Sequence, residues 1–580
     1  MNAARRSRLF LLITVLMPLL LLGAAELLLR ATGVGRLEPL FVPVESAPGY
    51  LQPNPNVVQR FFPDPRDAPD VSIDTTWFPA TKAPGTLRIF VQGESSAAGF
   101  PYGRWASPAA LLQQRLQRAY PDRNVEVINT GMAAVTSYVL LDFADEIIAQ
   151  HPDAVVIYTG HNEYLGIGGV GSSLVSSKSP TLARMVSTLR RSRLYRSLER
   201  AVAPLWPDSD PLAKRSGTLM ARVAAEHSIP LGSPLYERGL EQFRDNLDRL
   251  LRKYRDAGVP AFIGTLASNE RDQPPFASAP VELGETSALA HFENARGLEA
   301  EGYLAKAREE YLAAKDRDEL RFRAPESFNA LIRELAETDG AHLVDVQAAM
   351  AAASRDGIIG SDLMLEHLHP NVEGYFHLAS AYYVAVVAWI GSPAVAVDDA
   401  TARREIPVTE VDYLAGHYRV VALKNDWPFV PKWQATQLPP AANRIEEIAQ
   451  AWYADKLSWA DAMQRALEVY KQQGNTVEAA RVAVNLAEGF VTSDDAQFAA
   501  GRLLLQSGQP QRARRYLARA VALNDDDVVY RLSLAESLFR AGRVEQSIAT
   551  LEQILAKHPG EERASYWLAE VRRRTEQNAR

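Results

Sequence analysis

Five short apolar runs separated by helical patterns constrain this chain more than any other feature. Leu87–Gln92 ends at Gly93, Val125–Asn129 is followed by Gly131, and Ala154–Thr159 ends at Gly160. Pro260–Leu266 and His342–Val346 complete the set, with patterns such as Pro108–Tyr120 and Leu235–Ala257 between them. Apolar runs of roughly four to eight residues, bounded by turns and alternating with helices, predict an α/β fold around a parallel sheet. In such sheets ligands collect beyond the carboxyl ends of the strands. Chemistry is therefore expected near those ends.

The C-terminal part carries a repeat. Gly474, Gly508 and Gly542 are 34 residues apart, as are Ala479, Ala513 and Ser547. Small residues at that period let two helices pack closely, and 34 is the period of the tetratricopeptide (TPR) helical hairpin. Ala295, Gly302, Ala307, Tyr311 and Ala314 reproduce the offsets of Gly501, Gly508, Ala513, Leu517 and Ala520. Residues 286–316 are accordingly read as a similar hairpin inserted between the fourth and fifth strands. A TPR stack presents a surface suited to a protein partner.

The N-terminus bears on location. Arg5, Arg6 and Arg8 precede an uncharged apolar stretch from Leu9 to Ala25, 17 residues long. That is near the lower limit of about 17–25 for a membrane-spanning helix, and the positive flank keeps the N-terminus inside. An uncleaved anchor is favoured; a cleaved signal peptide ending near Gly23-Ala24-Ala25 is the rival. Both place the bulk of the chain on the extracytoplasmic side, the bacterial periplasm. Seven prolines between Pro39 and Pro65 make the next segment read as a spacer. The expected organisation is a cytoplasmic stretch at 1–8, an anchor at 9–29, a linker at 30–85, the α/β domain at 86–395, a connector at 396–440 and repeats at 441–575.

Composition removes several function classes. The chain has 580 residues, net charge −7 and no cysteine. Disulfides, Cys-ligated metals and thiol catalysis are excluded, and no basic patch suggests nucleic acid. Four polar elements stand out instead. Gly93-Glu94-Ser95-Ser96-Ala97-Ala98-Gly99, Asn129-Thr130-Gly131 and Gly160-His161-Asn162-Glu163 follow the first three strands, and Glu366-His367-Leu368-His369-Pro370-Asn371 precedes an apolar helix at 374–390. A serine at a strand-to-helix turn exposes its hydroxyl and puts its own N–H where an oxyanion can develop. Taken singly, each element has a plainer reading: His369 as a helix cap, Asn162 as a turn residue, His367 as a loop residue. Glu366, His367 and His369 lack the second ligand cluster of a metal site, so no metal or other cofactor is expected.

In order and on the expected elements, these four segments resemble the blocks of the SGNH/GDSL hydrolase family across about residues 86–392. The resemblance implies a three-layer flavodoxin-like α/β domain. It also implies Ser95 as nucleophile, with Ser96 the rival if the turn is shifted, His369 as general base and acid, and Glu366 as the group orienting the imidazole. The oxyanion hole would comprise the Ser95 N–H, the Gly131 N–H and the Asn162 side-chain amide. Glu stands at 94 and 366 where the family usually has Asp. The activity so implied is a membrane-anchored extracytoplasmic serine esterase acting on small acyl esters, for example acetyl groups of an envelope or exported polysaccharide, with a lipid ester as the other substrate class. An O-acyltransferase with the same triad and an inactive TPR scaffold are the alternatives. Of the remaining features, Gly166–Ser177 reads as a mobile loop, Ser268–Phe276 as a loop able to reach substrate, and Arg321 and Arg323 as solvated side chains.

Overall fold

Every residue of the run Leu87–Gly93 is buried, and the same holds for Ala154–Tyr158 and Ala261–Gly264. Strands covered on both faces have no polar side to present, so they form the middle of a sandwich of helices. The computed structural model describes residues 3–62, 68, 71, 73–172, 189, 192–202, 219–220 and 224–578, with side chains of 1–13, 15, 19 and 578 left aside. Numbering strands along the chain, β4 (Leu87–Gly93), β5 (Val125–Asn129), β6 (Ala154–Tyr158), β7 (Ala261–Gly264) and β8 (His342–Val344) form one parallel sheet ordered β5-β4-β6-β7-β8. The chain order reverses at β4, which lies between β5 and β6. That switch point is where an open sheet makes its crevice.

Helices Pro108–Ala119 and Val372–Ile390 pack on each other on one side, while Ser137–Ile148, Pro234–Asp256 and Glu326–Asp339 pack together on the other. The apolar helix 372–390 is a sheet-covering helix. Tyr382 on it donates its hydroxyl to the Ile157 carbonyl of β6 at 2.6 Å. The inserted hairpin is present as helices Ala288–Ala300 and Leu304–Arg317, between β7 and β8. Its turn glycine, Gly302, has φ +85°, matching Gly474, Gly508 and Gly542 at +68°, +76° and +77°. In that left-handed region an added Cβ is costly, which explains the glycine period. Helices from Arg444–Tyr453 to Glu562–Asn578 stack in chain order as the C-terminal solenoid.

Three segments differ from their sequence reading. The proline-rich stretch does not hang free: β1 (Phe41–Pro43), β2 (Tyr50–Pro53) and β3 (Phe78–Pro79) form an antiparallel sheet. Leu40, Phe41, Val57 and Phe78 sit between its prolines and join the core of the α/β unit. Arg60 then fastens it to helix 137–148 through Asp142 at 2.6 Å and Glu146 at 2.5 Å. The expected connector contains helices Asp399–Arg404 and Glu410–Lys424, and Val411 and Tyr418 enter the solenoid core. Arg321 and Arg323 are buried, not solvated. Arg323 bonds Asp318 at 2.9 Å and the Asn269 carbonyl at 2.9 Å, while Arg321 donates to the Ile229 and Asp316 carbonyls.

The N-terminal segment forms a helix, Ala3–Thr32. Among the described residues no helix is long and apolar enough to cross a membrane.

Candidate active site

The site begins where β4 runs out. Gly93 pairs with Tyr158 across the sheet, and a Cβ there would lie 2.2 Å from the Tyr158 carbonyl oxygen and 2.5 Å from the Ala97 Cβ. Only glycine lets the chain turn so tightly into the short helix Ser95–Ala98. Ser95 is the first residue of that helix. Its N–H has no intrahelical acceptor, so it is available to a ligand oxygen.

The histidine arrives from the far end of the domain. Asn371 caps helix 372–390 by accepting from the Gly374 N–H at 2.9 Å, and the Leu365 N–H donates to the His369 carbonyl at 2.9 Å. Asn371, not His369, is thus the cap, and His369 is left to project toward the sheet. Its Nε2 lies 2.7 Å from Ser95 Oγ, joining residues 274 positions apart. Ser96 Oγ is buried with no hydrogen-bond partner among the described residues. His369 Nδ1 bonds Glu366 Oε1, and Phe100 lies against the imidazole with ring centroids 4.5 Å apart. The longer side chain of Glu366 therefore reaches the imidazole.

Glu366 is fully buried and serves two imidazoles, its other oxygen lying against His367 Nδ1. Burial alone pushes its carboxyl up, but the two histidines together hold it well below the ordinary range. It stays an anion, which is what a group steadying an imidazolium must be. His367 is wedged among Phe276, Phe322 and Phe429, and burial lowers its pKa against the pull of Glu366. The ligating atoms of Glu366, His367 and His369 come within 4.8 Å of one another, with one carboxylate oxygen hydrogen-bonded to His369 Nδ1 and the other in contact with His367 Nδ1.

The expected oxyanion donors differ in their state. Asn162 Nδ2 is buried with no hydrogen-bond partner among the described residues, so it is not spent on its own turn. The Gly131 N–H is already engaged by Asn129 Oδ1 at 2.9 Å, and Asn129 also donates to the Ala97 carbonyl at 3.0 Å. Gly131 is glycine for lack of room: a Cβ would meet the Ala98 nitrogen at 2.7 Å.

Glu94 ties these parts together. Its carboxyl accepts from Thr159 Oγ1 at 2.9 Å, Gly160 N–H at 2.7 Å and Asn162 N–H at 3.1 Å. Burial pushes its pKa up to about 8 despite those bonds. Sequence reasoning gave this residue no part to play and passed over Phe100; it read Asn129 only as part of a strand-end turn and His367 only as a loop residue. Each adjoins a residue it did choose or lies beside one of the motifs, and that adjacency was the available signal. The loop Ser268–Phe276 backs the acid and base: Asn269 donates its side-chain amide to the Glu366 carbonyl at 3.1 Å and its backbone N–H to the His367 carbonyl at 2.9 Å. Of the loop expected at 166–177, residues 166–172 form packed turns with Ile167 buried, and 173–177 lie outside the described residues.

Residues 504–571 match the tetratricopeptide repeat family model. No curated protein matches the chain. Among solved structures it is similar to Axe2, an acetylxylan esterase from Geobacillus stearothermophilus, at 15% identity and TM-score 0.28, covering 52% of this chain and 94% of that one. It is also similar to a lipase/acylhydrolase from Enterococcus faecalis (15%, TM-score 0.27, 53% and 99% covered). A third is the psychrotrophic esterase EstA from Pseudoalteromonas sp. (14%, TM-score 0.26, 52% and 98% covered). At these identities and TM-scores the likenesses carry no argument, and the chemistry rests on the geometry of Ser95, His369 and Glu366.

Proposed function

We propose that the chain is a serine esterase. The observation that carries this is the continuous hydrogen-bond chain from Ser95 Oγ through His369 to Glu366. Ser95 attacks the ester carbonyl while His369 Nε2 takes its proton; His369 then returns the proton to the departing alcohol, leaving an acyl-enzyme. Water, deprotonated by His369, releases the acid and restores Ser95. Glu366 fixes the imidazole tautomer and balances the imidazolium. The Ser95 N–H and Asn162 Nδ2 receive the oxyanion, and the Gly131 N–H joins them if Asn129 Oδ1 yields it. Each such donor contributes roughly 3–4 kcal/mol to the transition state.

The preferred substrate class is a small acyl ester, such as an acetyl group on an envelope or exported polysaccharide. What supports a small acyl group is the enclosure of the pair, with Ser95 8% and His369 7% exposed. The N-terminal helix is proposed to tether the chain to the cytoplasmic membrane, with the α/β and repeat units on the extracytoplasmic side. Support comes from the uncharged run 9–25 behind three arginines and from the exposure of Leu20, Leu21, Leu27 and Leu28 along that helix. The TPR module is proposed to hold a protein partner.

The test uses the full chain in detergent with p-nitrophenyl acetate and a fluorophosphonate probe. Turnover and labelling should vanish in Ser95→Ala, turnover should fall at least about a hundredfold in His369→Ala, and both should survive in Ser96→Ala. A folded sample that neither turns over nor labels would overturn the esterase reading. Labelling without turnover would favour transfer of the acyl group to an acceptor other than water.

A further inference from the structure

A well-formed cavity among the described residues lies away from Ser95. It sits between the α/β unit and the solenoid, encloses about 470 Å³, and is walled by Arg104, Trp105 and Gln117 on one side and Arg512, Arg515 and Tyr516 on the other. That volume falls within the range of small-molecule sites, about 300–1,000 Å³.

Its charge is unbalanced. Six arginines line it (positions 104, 118, 512, 514, 515 and 543) against the carboxylates of Asp74, Glu405 and Glu488. Asp122 at the rim adds a fourth, taken by Arg514 at 3.0 Å and Arg543 at 2.8 Å. The remaining pairings are stretched: Arg118 and Arg512 each stand 3.9 Å from Glu405, and Arg104 stands 4.0 Å from Asp74. Glu488 is taken by Arg519 at 3.1 Å and the Tyr516 hydroxyl at 2.9 Å. Arg515 is left over. Its Nε and one terminal nitrogen are buried with no hydrogen-bond partner among the described residues. A buried guanidinium without an acceptor is costly, and the planar fork of donors of a guanidinium matches carboxylate or phosphate oxygens. With Asp122 counted, six positive charges meet four negative ones, a surplus of two.

We propose that this cleft binds a small ligand carrying two or more anionic oxygen groups, phosphate or carboxylate, with Arg515 as its central contact and Arg118 and Arg512 closing on it from opposite walls. The cleft is joined to the catalytic centre by Asn129, which lines it and also holds the Gly131 N–H. The ligand would thus bridge the two units directly behind the oxyanion loop.

The test is calorimetric titration of the full chain in detergent, at a fixed ionic strength of about 0.15 M, where exposed charges are largely screened. Inorganic pyrophosphate probes the phosphate source and digalacturonate the carboxylate source. One ligand per chain is expected from at least one probe, and the probe that binds tells which source applies. Loss of a charged hydrogen bond predicts binding weakened at least about tenfold in Arg515→Gln and in Arg118→Gln. The Arg118 side chain is 27% exposed, so its variant serves even where Arg515→Gln fails to fold. No heat from either probe at millimolar concentration, or equal affinity in the wild type and a folded variant, would overturn the proposal.

Discussion

Asn162→Ala separates a catalytic amide from a structural one, because the two readings predict opposite effects on stability. Asn162 Nδ2 is buried without a hydrogen-bond partner among the described residues, while the backbone N–H of the same residue bonds Glu94 at 3.1 Å. Truncation removes the first and keeps the second, so the turn holds its shape. An unsatisfied buried donor costs the fold about 1–3 kcal/mol, and its removal should leave the melting midpoint unchanged or raise it. Catalysis should move the other way. Losing one oxyanion donor costs roughly 10²–10³ in kcat, about 2.7–4 kcal/mol. The loss should be near the upper end here, because the Gly131 N–H starts out engaged by Asn129 Oδ1 and cannot replace the missing donor freely. The assay is steady-state hydrolysis of p-nitrophenyl acetate beside thermal melting of the same sample. KM should hardly change, since the bond forms only as negative charge develops. A fall in kcat below about threefold, or a fall in kcat matched by a lower melting midpoint, would refute the reasoning.

Three further outcomes are expected. Glu366→Gln should cut kcat about 10³–10⁴-fold by presenting an amide to His369 and freeing its tautomer, whereas Glu366→Asp should recover part of it; a loss under about tenfold in the pH-independent kcat of Glu366→Gln would remove the orienting role. Glu94, raised by burial from 4.5 to about 8, keeps its proton in the folded chain over a pH range where the unfolded chain has lost it, so its contribution is full below about 4.5 and is lost as pH rises toward 8. That amounts to about 1.4 kcal/mol per pH unit inside the window, and the drop in melting midpoint between about pH 5 and 8 should be smaller in Glu94→Gln than in the wild type. Gly93→Ala would set a Cβ 2.2 Å from the Tyr158 carbonyl, which should cost about 1–3 kcal/mol of stability and displace Ser95, read as lost fluorophosphonate labelling in a protein that still melts cooperatively.

The central strands were legible because burial on both faces favours apolar residues along them. Val91 pairs with Asn129 of β5 on one side and Val156 of β6 on the other, and all five runs fall where their apolar character ends. The repeat was legible because its glycines answer to a backbone angle, not to a neighbour: Gly508 needs its positive φ whatever packs against it. The segment before β4 was misread for the converse reason. Its prolines are local signals and say extended chain, while Leu40, Phe41 and Phe78 become core only when a distant sheet accepts them. Arg321 and Arg323 failed in the same way, since a buried arginine depends on acceptors that the sequence does not place beside it, such as the Ile229 and Asn269 carbonyls.

For the site, the sequence supplied residue types but not their engagement. Ser95, His369 and Glu366 could be picked from motifs because the chemistry demands those side chains; whether Gly131 has a free N–H depends on Asn129 Oδ1, two residues away and identical in type to any turn asparagine. The same gap hid the arginine cleft. Arg104 and Arg515 are far apart in the chain and belong to different units, so nothing in the sequence sets them beside one another. Only when the solenoid docks on helix 108–119 and its preceding turn, through Trp105 stacked on Trp459 at 5.4 Å and Arg104 donating to the Glu488 carbonyl at 3.1 Å, do they enclose one volume. Each catalytic group is readable when a local turn carries it, and a site assembled by docking two units is readable only after the units have met.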